Sequence, residues 1–304
     1  MRFGGTYSSI SPSLRQPYSD RINVGLEVAV TRRTSAGIHL FRVDQKDRIA
    51  ALDVGVPDQD YSPVSIVDPG PDGITGTFDD RQLTVYAQNP STLGQDRYLL
   101  MNPAGLRMQN TGFVAAAKTQ WRGLTLNASF VAEKSYGPTN PGNGLLENDP
   151  GVVGSLFLDP NTSINAANRS FVDRAYVGKI YGTWRLPWGG LELASVAEYM
   201  DGLSFARELL VTGLPQGPFL VAATVRGSPE GGDRAEHVVN WNLGIQRVSQ
   251  LRFGSITALA QIMNVANAAH KIQECDITGP AFNLRLPVAL QSPRVASLGF
   301  VYRF

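Results

Sequence analysis

The chain has 304 residues, 43% of them hydrophobic and 17% charged, with a formal net charge of +1. Near-neutrality excludes a general field that would steer nucleic acid or acidic substrates, and so few charges on so many apolar residues exclude a disordered chain. The 31 Gly and 19 Pro announce many turns. Cys275 has no cysteine partner and reads as a small loop side chain, His39, His237 and His270 read as isolated, and no 18-residue apolar run exists for a helical span.

In chain order, residues 1–20 lack the basic, apolar and small-residue succession of a secretory signal. A period of two then dominates. Ile22, Val24, Leu26, Val28 and Val30 alternate with Asn23, Gly25, Glu27, Ala29 and Thr31. Leu124, Leu126, Ala128, Phe130 and Ala132 oppose Thr125, Asn127, Ser129 and Glu133, and Tyr176, Ile180, Trp184 and Leu186 oppose Lys179, Thr183 and Arg185. Leu191, Leu193 and Tyr199 oppose Glu192 and Glu198. Trp241, Leu243 and Ile245 oppose Asn240, Asn242 and Gln246, and Ile256, Ala258, Ala260 and Ile262 oppose Thr257 and Gln261. Weaker runs near 36–43, 81–88, 111–121 and 203–212 bring the expectation to roughly ten or eleven strands. The last strand sets Leu298, Phe300, Tyr302 and Phe304 against Ser297, Gly299, Val301 and Arg303.

Connections alternate in length. Tight turns are expected at 32–37, 122–123, 187–190 and 249–254, and long Gly-, Pro-, Asn- and Asp-rich links at 44–80, 135–171, 213–235 and 267–293. Long loops on every second connection fall at one rim of an up-and-down sheet, the asymmetry of an outer-membrane barrel. About ten residues rising roughly 3.3 Å each and tilted near 40° span the ~25 Å apolar band of such a wall. Trp121, Trp184, Trp188, Tyr199, Tyr302 and Phe304 fall near strand ends, where interfacial girdles belong. In lipid a sheet satisfies its backbone only by closing. The fold class expected is all-β, a transmembrane antiparallel up-and-down β-barrel. A soluble β-sandwich also alternates and stays open as the competing architecture.

The loops offer one metal-like pattern. In the segment 68–80, Asp68, Asp72 and Asp79 match positions 1, 5 and 12 of a calcium loop, with Gly73 at the turn position. Gly70 removes the ligand at position 3, and a Gly/Pro/Asp-turned loop is the competing reading. No other cofactor is expected. Glu192 and Glu198 share a polar face as lumen-lining groups, and the sequons at Asn127, Asn161 and Asn168 carry little weight. No hydrolase elbow, zinc helix, Walker loop or dinucleotide motif appears, so no enzyme is expected.

Several pieces resemble one family. PYSDRINVGLEVAV (17–30), IYGTWRLPWGGLELASVAEYMDGLSFA (180–206), NWNLGIQRV (240–248), QIMNVANAAH (261–270) and the terminal SLGFVYRF resemble, in this order, the barrel of TonB-dependent outer-membrane receptors of the Oar-like group. The resemblance implies that 1–304 is the carboxy-terminal part of such a receptor, with plug domain and signal peptide absent, as a truncated gene model or one piece of a split protein. It implies that Leu298, Phe300, Tyr302 and Phe304 face lipid and act as a signal for the barrel-assembly machinery. It implies a Gram-negative outer membrane, capture of a small nutrient, oligosaccharide or peptide at the outer loops, and import coupled to TonB through the missing amino-terminal part. A passive pore or an adhesin-like barrel, or a soluble β-rich binding protein, is the alternative.

Overall fold

The computed structural model describes residues 9–138, 158–170, 173–227 and 234–304. Nine long strands form one antiparallel sheet: β1 (Tyr18–Thr31), β2 (Thr34–Lys46), β3 (Met108–Trp121), β4 (Leu124–Pro138), β5 (Tyr176–Arg185), β6 (Leu191–Met200), β7 (Val238–Leu251), β8 (Gly254–Met263) and β9 (Val295–Arg303). Each pairs with the next in sequence, so spatial order is chain order, and the segment Ala167–Arg169 adds a short tenth strand on β4. This is the up-and-down wall expected. Strands β1 and β9 do not pair with each other, so the sheet is open.

The register keeps every strand in phase, which matters because a one-residue slip would turn its apolar set to the wrong side. One row across seven strands reads Trp121, Leu124, Trp184, Leu193, Ile245, Ala260 and Leu298. A row on the opposite face reads Glu27, Gly37, Ala116, Ser129, Lys179, Glu198 and Asn240. Polar partners are knitted together there. Lys179 Nζ lies 2.7 Å from Glu198, Gln246 donates to Glu192 at 3.1 Å, and His39 Nε2 lies 3.3 Å from Glu27. Gly25, paired with His39, is small for a reason: a Cβ there would stand 2.1 Å from the imidazole Nδ1.

The apolar face is uncovered. Leu26 is 64% exposed, Leu298 81% and Phe300 74%. A soluble sandwich would bury these groups under a second sheet, whereas among the described residues the buried apolar clusters lie elsewhere, in the loops. An uncovered apolar face of this kind is what a barrel wall presents to hydrocarbon. Beyond the apolar stretch, toward the long connections, the same face turns ionic, with Lys46 Nζ 2.6 Å from Asp20 and Arg42 Nε 2.8 Å from Asp44.

The turns follow local chemistry. Thr31 pairs with Thr34, Trp121 with Leu124 and Leu251 with Gly254, leaving two-residue turns at 32–33, 122–123 and 252–253. Arg122 (φ 42°) and Gly123 (φ 85°) both take the left-handed region that a twisted two-residue hairpin requires. Two weaker runs leave the wall. Residues 81–88 pair with Tyr61–Asp68, and Glu208–Val211, within the run 203–212, pairs with Phe219–Ala222. Alternation marks a half-buried strand wherever it packs, and these hairpins bury one face in the loop layer.

A candidate ligand-binding face at the long loops

The connections 47–107 and 264–294, with the described parts of 139–175 and 201–237, gather at one rim and build their own core. Val85, Val211 and Val221 are fully packed together, flanked by Ile66, Leu83 and Phe219 from three different loop segments. Phe205 packs edge-on against Phe282 with ring centroids 6.2 Å apart. The described loop segments bury apolar surface of their own rather than borrowing the wall's.

Polar side chains then stitch loop to loop. Asn161, fully buried, accepts from the Tyr86 amide at 2.8 Å and donates to the Tyr86 carbonyl at 2.7 Å, replacing a missing strand partner. Gln216 does the same one turn away, accepting from Gln88 N at 3.0 Å and donating to Tyr86 O at 2.8 Å. Arg207 is the hub. Its two Nη groups meet both oxygens of Asp68 at 2.7 and 2.5 Å, and Nη1 also donates to Gly70 O at 3.2 Å and Thr278 Oγ1 at 2.7 Å. Three loops meet on this one guanidinium, with both partners buried. A second node joins Arg234 and Arg169 to the fully buried Asp173, and a third joins Arg285 to Glu274 at 2.6 Å.

At the expected calcium loop each of the three carboxylates has a partner within the protein. Asp68 is consumed by Arg207, Asp72 Oδ1 caps the Ile74 amide at 2.9 Å, and Asp79 Oδ1 accepts from Thr77 Oγ1 at 2.5 Å. Among the described residues no group of three His, Cys, Asp or Glu is arranged to hold a metal ion. The spacing was right for a cation, but a buried arginine from 139 residues away supplies the positive charge. His237 and His270, read as isolated, are neighbours: their ring centroids lie 5.3 Å apart, Tyr199 stacks on His237 at 5.6 Å, and His270 Nδ1 reaches Glu236 at 3.4 Å. Nothing local in the sequence marks that group, since it is assembled across two loops. Cys275 is half-buried in its loop with Sγ 3.8 Å from Ile277 O. Leu298, Phe300, Tyr302 and Phe304 lie far out on β9 and its end, all exposed. Candidate contacts in 139–157, 171–172 and 228–233 lie outside the described residues.

A cavity of about 460 Å³ opens between the first and second long loops, lined among others by Asp53, Val56, Tyr61, Tyr86, Asp159 and Ile164. Asp53 Oδ1 is fixed by three amides, those of Gly55 (2.8 Å), Val56 (3.3 Å) and Arg97 (2.9 Å). Burial holds the Asp159 carboxyl above its usual range, and burial with the nearby carboxylates of Asp159, Asp53 and Asp96 pushes the Tyr61 hydroxyl up as well. The cavity is therefore rich in acceptors and electronegative, of a size suited to a small ligand.

The loop layer also carries a pH-sensitive joint. Glu208, buried beside Asp276 and Arg226, has its carboxyl pushed up to about 7, chiefly by burial. A folded-state value above the unfolded one means that the folded loops hold the proton more tightly, so stability present below about pH 4.5 is lost as pH rises to about 7, on the order of 3 kcal/mol. A spin label at Leu210 in the neighbouring hairpin is expected to loosen between pH 5 and 8. In Glu208→Gln its mobility is expected to be the same at both pH values, and a persisting transition would assign the effect to another group.

With that geometry in hand, comparison with solved structures is informative about fold. No family model matches the chain, and no curated protein is significantly similar in sequence. The structure resembles the outer membrane transporter YddB from Escherichia coli, with TM-score 0.52 and 13% identity over 95% of this chain and 33% of that one. It resembles the FrpB iron transporter from Neisseria meningitidis with TM-score 0.52 and 13% identity, over 97% of this chain and 32% of that one. The chain thus spans about a third of the length of these transporters. The likeness is one of fold: the open sheet resembles part of the β-barrel wall of these outer-membrane transporters.

Proposed function

We propose that the chain forms part of the wall and the ligand-capturing outer loops of an energy-coupled importer. The observation that carries this reading is the cross-linked loop layer on one rim only, a roof over a wall whose opposite face is polar. Open edges at β1 and β9 require further strands from outside these residues, because an unpaired backbone edge is not tolerated in lipid. The likeness to transporters supports import over adhesion, and the role of TonB rests on the family resemblance. The terminal Leu298, Phe300, Tyr302 and Phe304 serve as the assembly signal in this reading.

Cells producing the protein, with and without functional TonB, are offered ferric siderophores, cobalamin, oligosaccharides and peptides. One of these is expected to accumulate only when both proteins are present. Equal uptake without TonB would instead establish a passive pore.

A further inference from the structure

The short-turn rim carries more positive charge than the described residues neutralise. The five segments 28–36, 117–126, 183–193, 246–256 and 301–304 contain eight of the chain's 27 Lys and Arg but one of its 26 Asp and Glu. Arg32, Arg33, Lys118, Arg122, Arg185, Arg247, Arg252 and Arg303 are all exposed. Among the described residues one of them meets an acid, Arg185 at 3.9 Å from Glu192. The loop layer is the opposite: Arg207, Arg234, Arg169 and Arg285 are each matched to a carboxylate. Among the described residues most of the rim's positive charge has no acidic partner.

Turn geometry does not explain these residues. Two-residue hairpins favour Asn, Asp and Gly, yet each of the three here opens on arginine, as Arg32-Arg33, Arg122-Gly123 and Arg252-Phe253. Arg122 is held at φ 42°, where a long side chain is disfavoured. Its guanidinium lies over the Trp121 ring at 5.3 Å and that of Arg252 over Phe253 at 5.2 Å. Stacking of this kind leaves the N–H donors free at the ring's edge. The rings themselves are outward and bare: Trp121 is 56% exposed, Trp188 63% and Phe253 74%. Lys118, Arg185 and Arg303 lie on the polar face, while Arg247 shares the apolar face with Leu193 and Ile245.

Arginines interleaved with aromatic rings at the edge of an apolar band match a lipid headgroup layer, with rings at the interface and donors toward phosphate. Short turns of such barrels face the periplasm. We propose that this rim, through Arg32, Arg122, Arg247 and Arg252, is a seat for anionic phospholipid headgroups of the periplasmic leaflet.

The chain provides its own reporters, since Trp121, Trp184 and Trp188 sit at this rim and Trp241 is the remaining tryptophan. The full protein carrying Trp241→Phe is extracted from outer membranes and reconstituted in phosphatidylcholine doped with brominated phosphatidylglycerol or brominated phosphatidylcholine. Quenching by the anionic lipid is expected to reflect at least threefold preferential binding. The preference should vanish in 0.5 M NaCl, as screening requires, and in the variant Arg32→Gln/Arg122→Gln/Arg247→Gln/Arg252→Gln. If the quadruple variant does not assemble, Arg122→Gln/Arg252→Gln is expected to lose at least half of the preference. Equal quenching by the two lipids, or a preference indifferent to salt and substitution, overturns the proposal. So does tighter, rim-dependent binding of soluble poly-glutamate, which would indicate an acidic periplasmic protein instead.

Discussion

Arg207→Met is expected to release the loop layer while leaving the wall assembled. The guanidinium and Asp68 are both almost wholly buried. The substitution leaves a carboxylate inside the protein with no counter-charge, while also removing donors from Gly70 O and Thr278 Oγ1. Breaking one side of a buried pair typically costs about 3–5 kcal/mol, most of it the penalty on the stranded charge. Amides in Tyr61–Asp68, Glu208–Val211 and Phe219–Ala222 should then exchange orders of magnitude faster, and strands β3 to β8 should keep their protection. The double variant Arg207→Met/Asp68→Leu removes the stranded charge and is expected to recover most of the protection. If Arg207→Met alone left the three segments protected, the hub would be an incidental contact and the loops would be held by Val85, Val211 and Val221.

Ala260→Arg should prevent stable accumulation in the outer membrane, and Gln261→Arg should not. The two positions are neighbours on β8 and face opposite ways. Ala260 lies in the row between Ile245 and Leu298, and Gln261 between Gly244 and Ser297. A guanidinium in the middle of the lipid face of a barrel costs about 2–4 kcal/mol, whereas the polar face already holds Lys179, Glu198 and Glu192. The measurement is the heat-modifiable, folded fraction of each variant in isolated outer membranes. Equal loss for both would mean that β8 is packed on two sides by protein, and the membrane reading of the apolar face would fail.

Much of the wall was legible in the amino-acid order. Side chains alternate strictly along a strand, so Ile22 to Val30, Leu124 to Ala132 and Leu298 to Phe304 declared their faces without any knowledge of neighbours. The two-residue turns and Gly/Pro-rich links declared which rim was which. Order along the sheet followed for the same reason, since antiparallel neighbours joined by tight turns have little choice of partner. The terminal apolar run continues the exposed apolar face of the sheet to its last strand.

The loops were a different matter. The weaker run 81–88 alternates too, and only its pairing with Tyr61–Asp68 shows that it belongs to the roof. Asp68, Asp72 and Asp79 had the spacing of a cation site, yet the cation at Asp68 is Arg207, brought there by a contact between loops that no local pattern encodes. His237 with His270, and Asn161 with Tyr86, are likewise products of tertiary folding. By itself the sequence determined which residues share the apolar face of the wall and which the polar one, because that choice is made one residue at a time by the pleat. Only the tertiary structure decided which loop side chains meet, because those pairings depend on how separate segments dock and on charges buried between them.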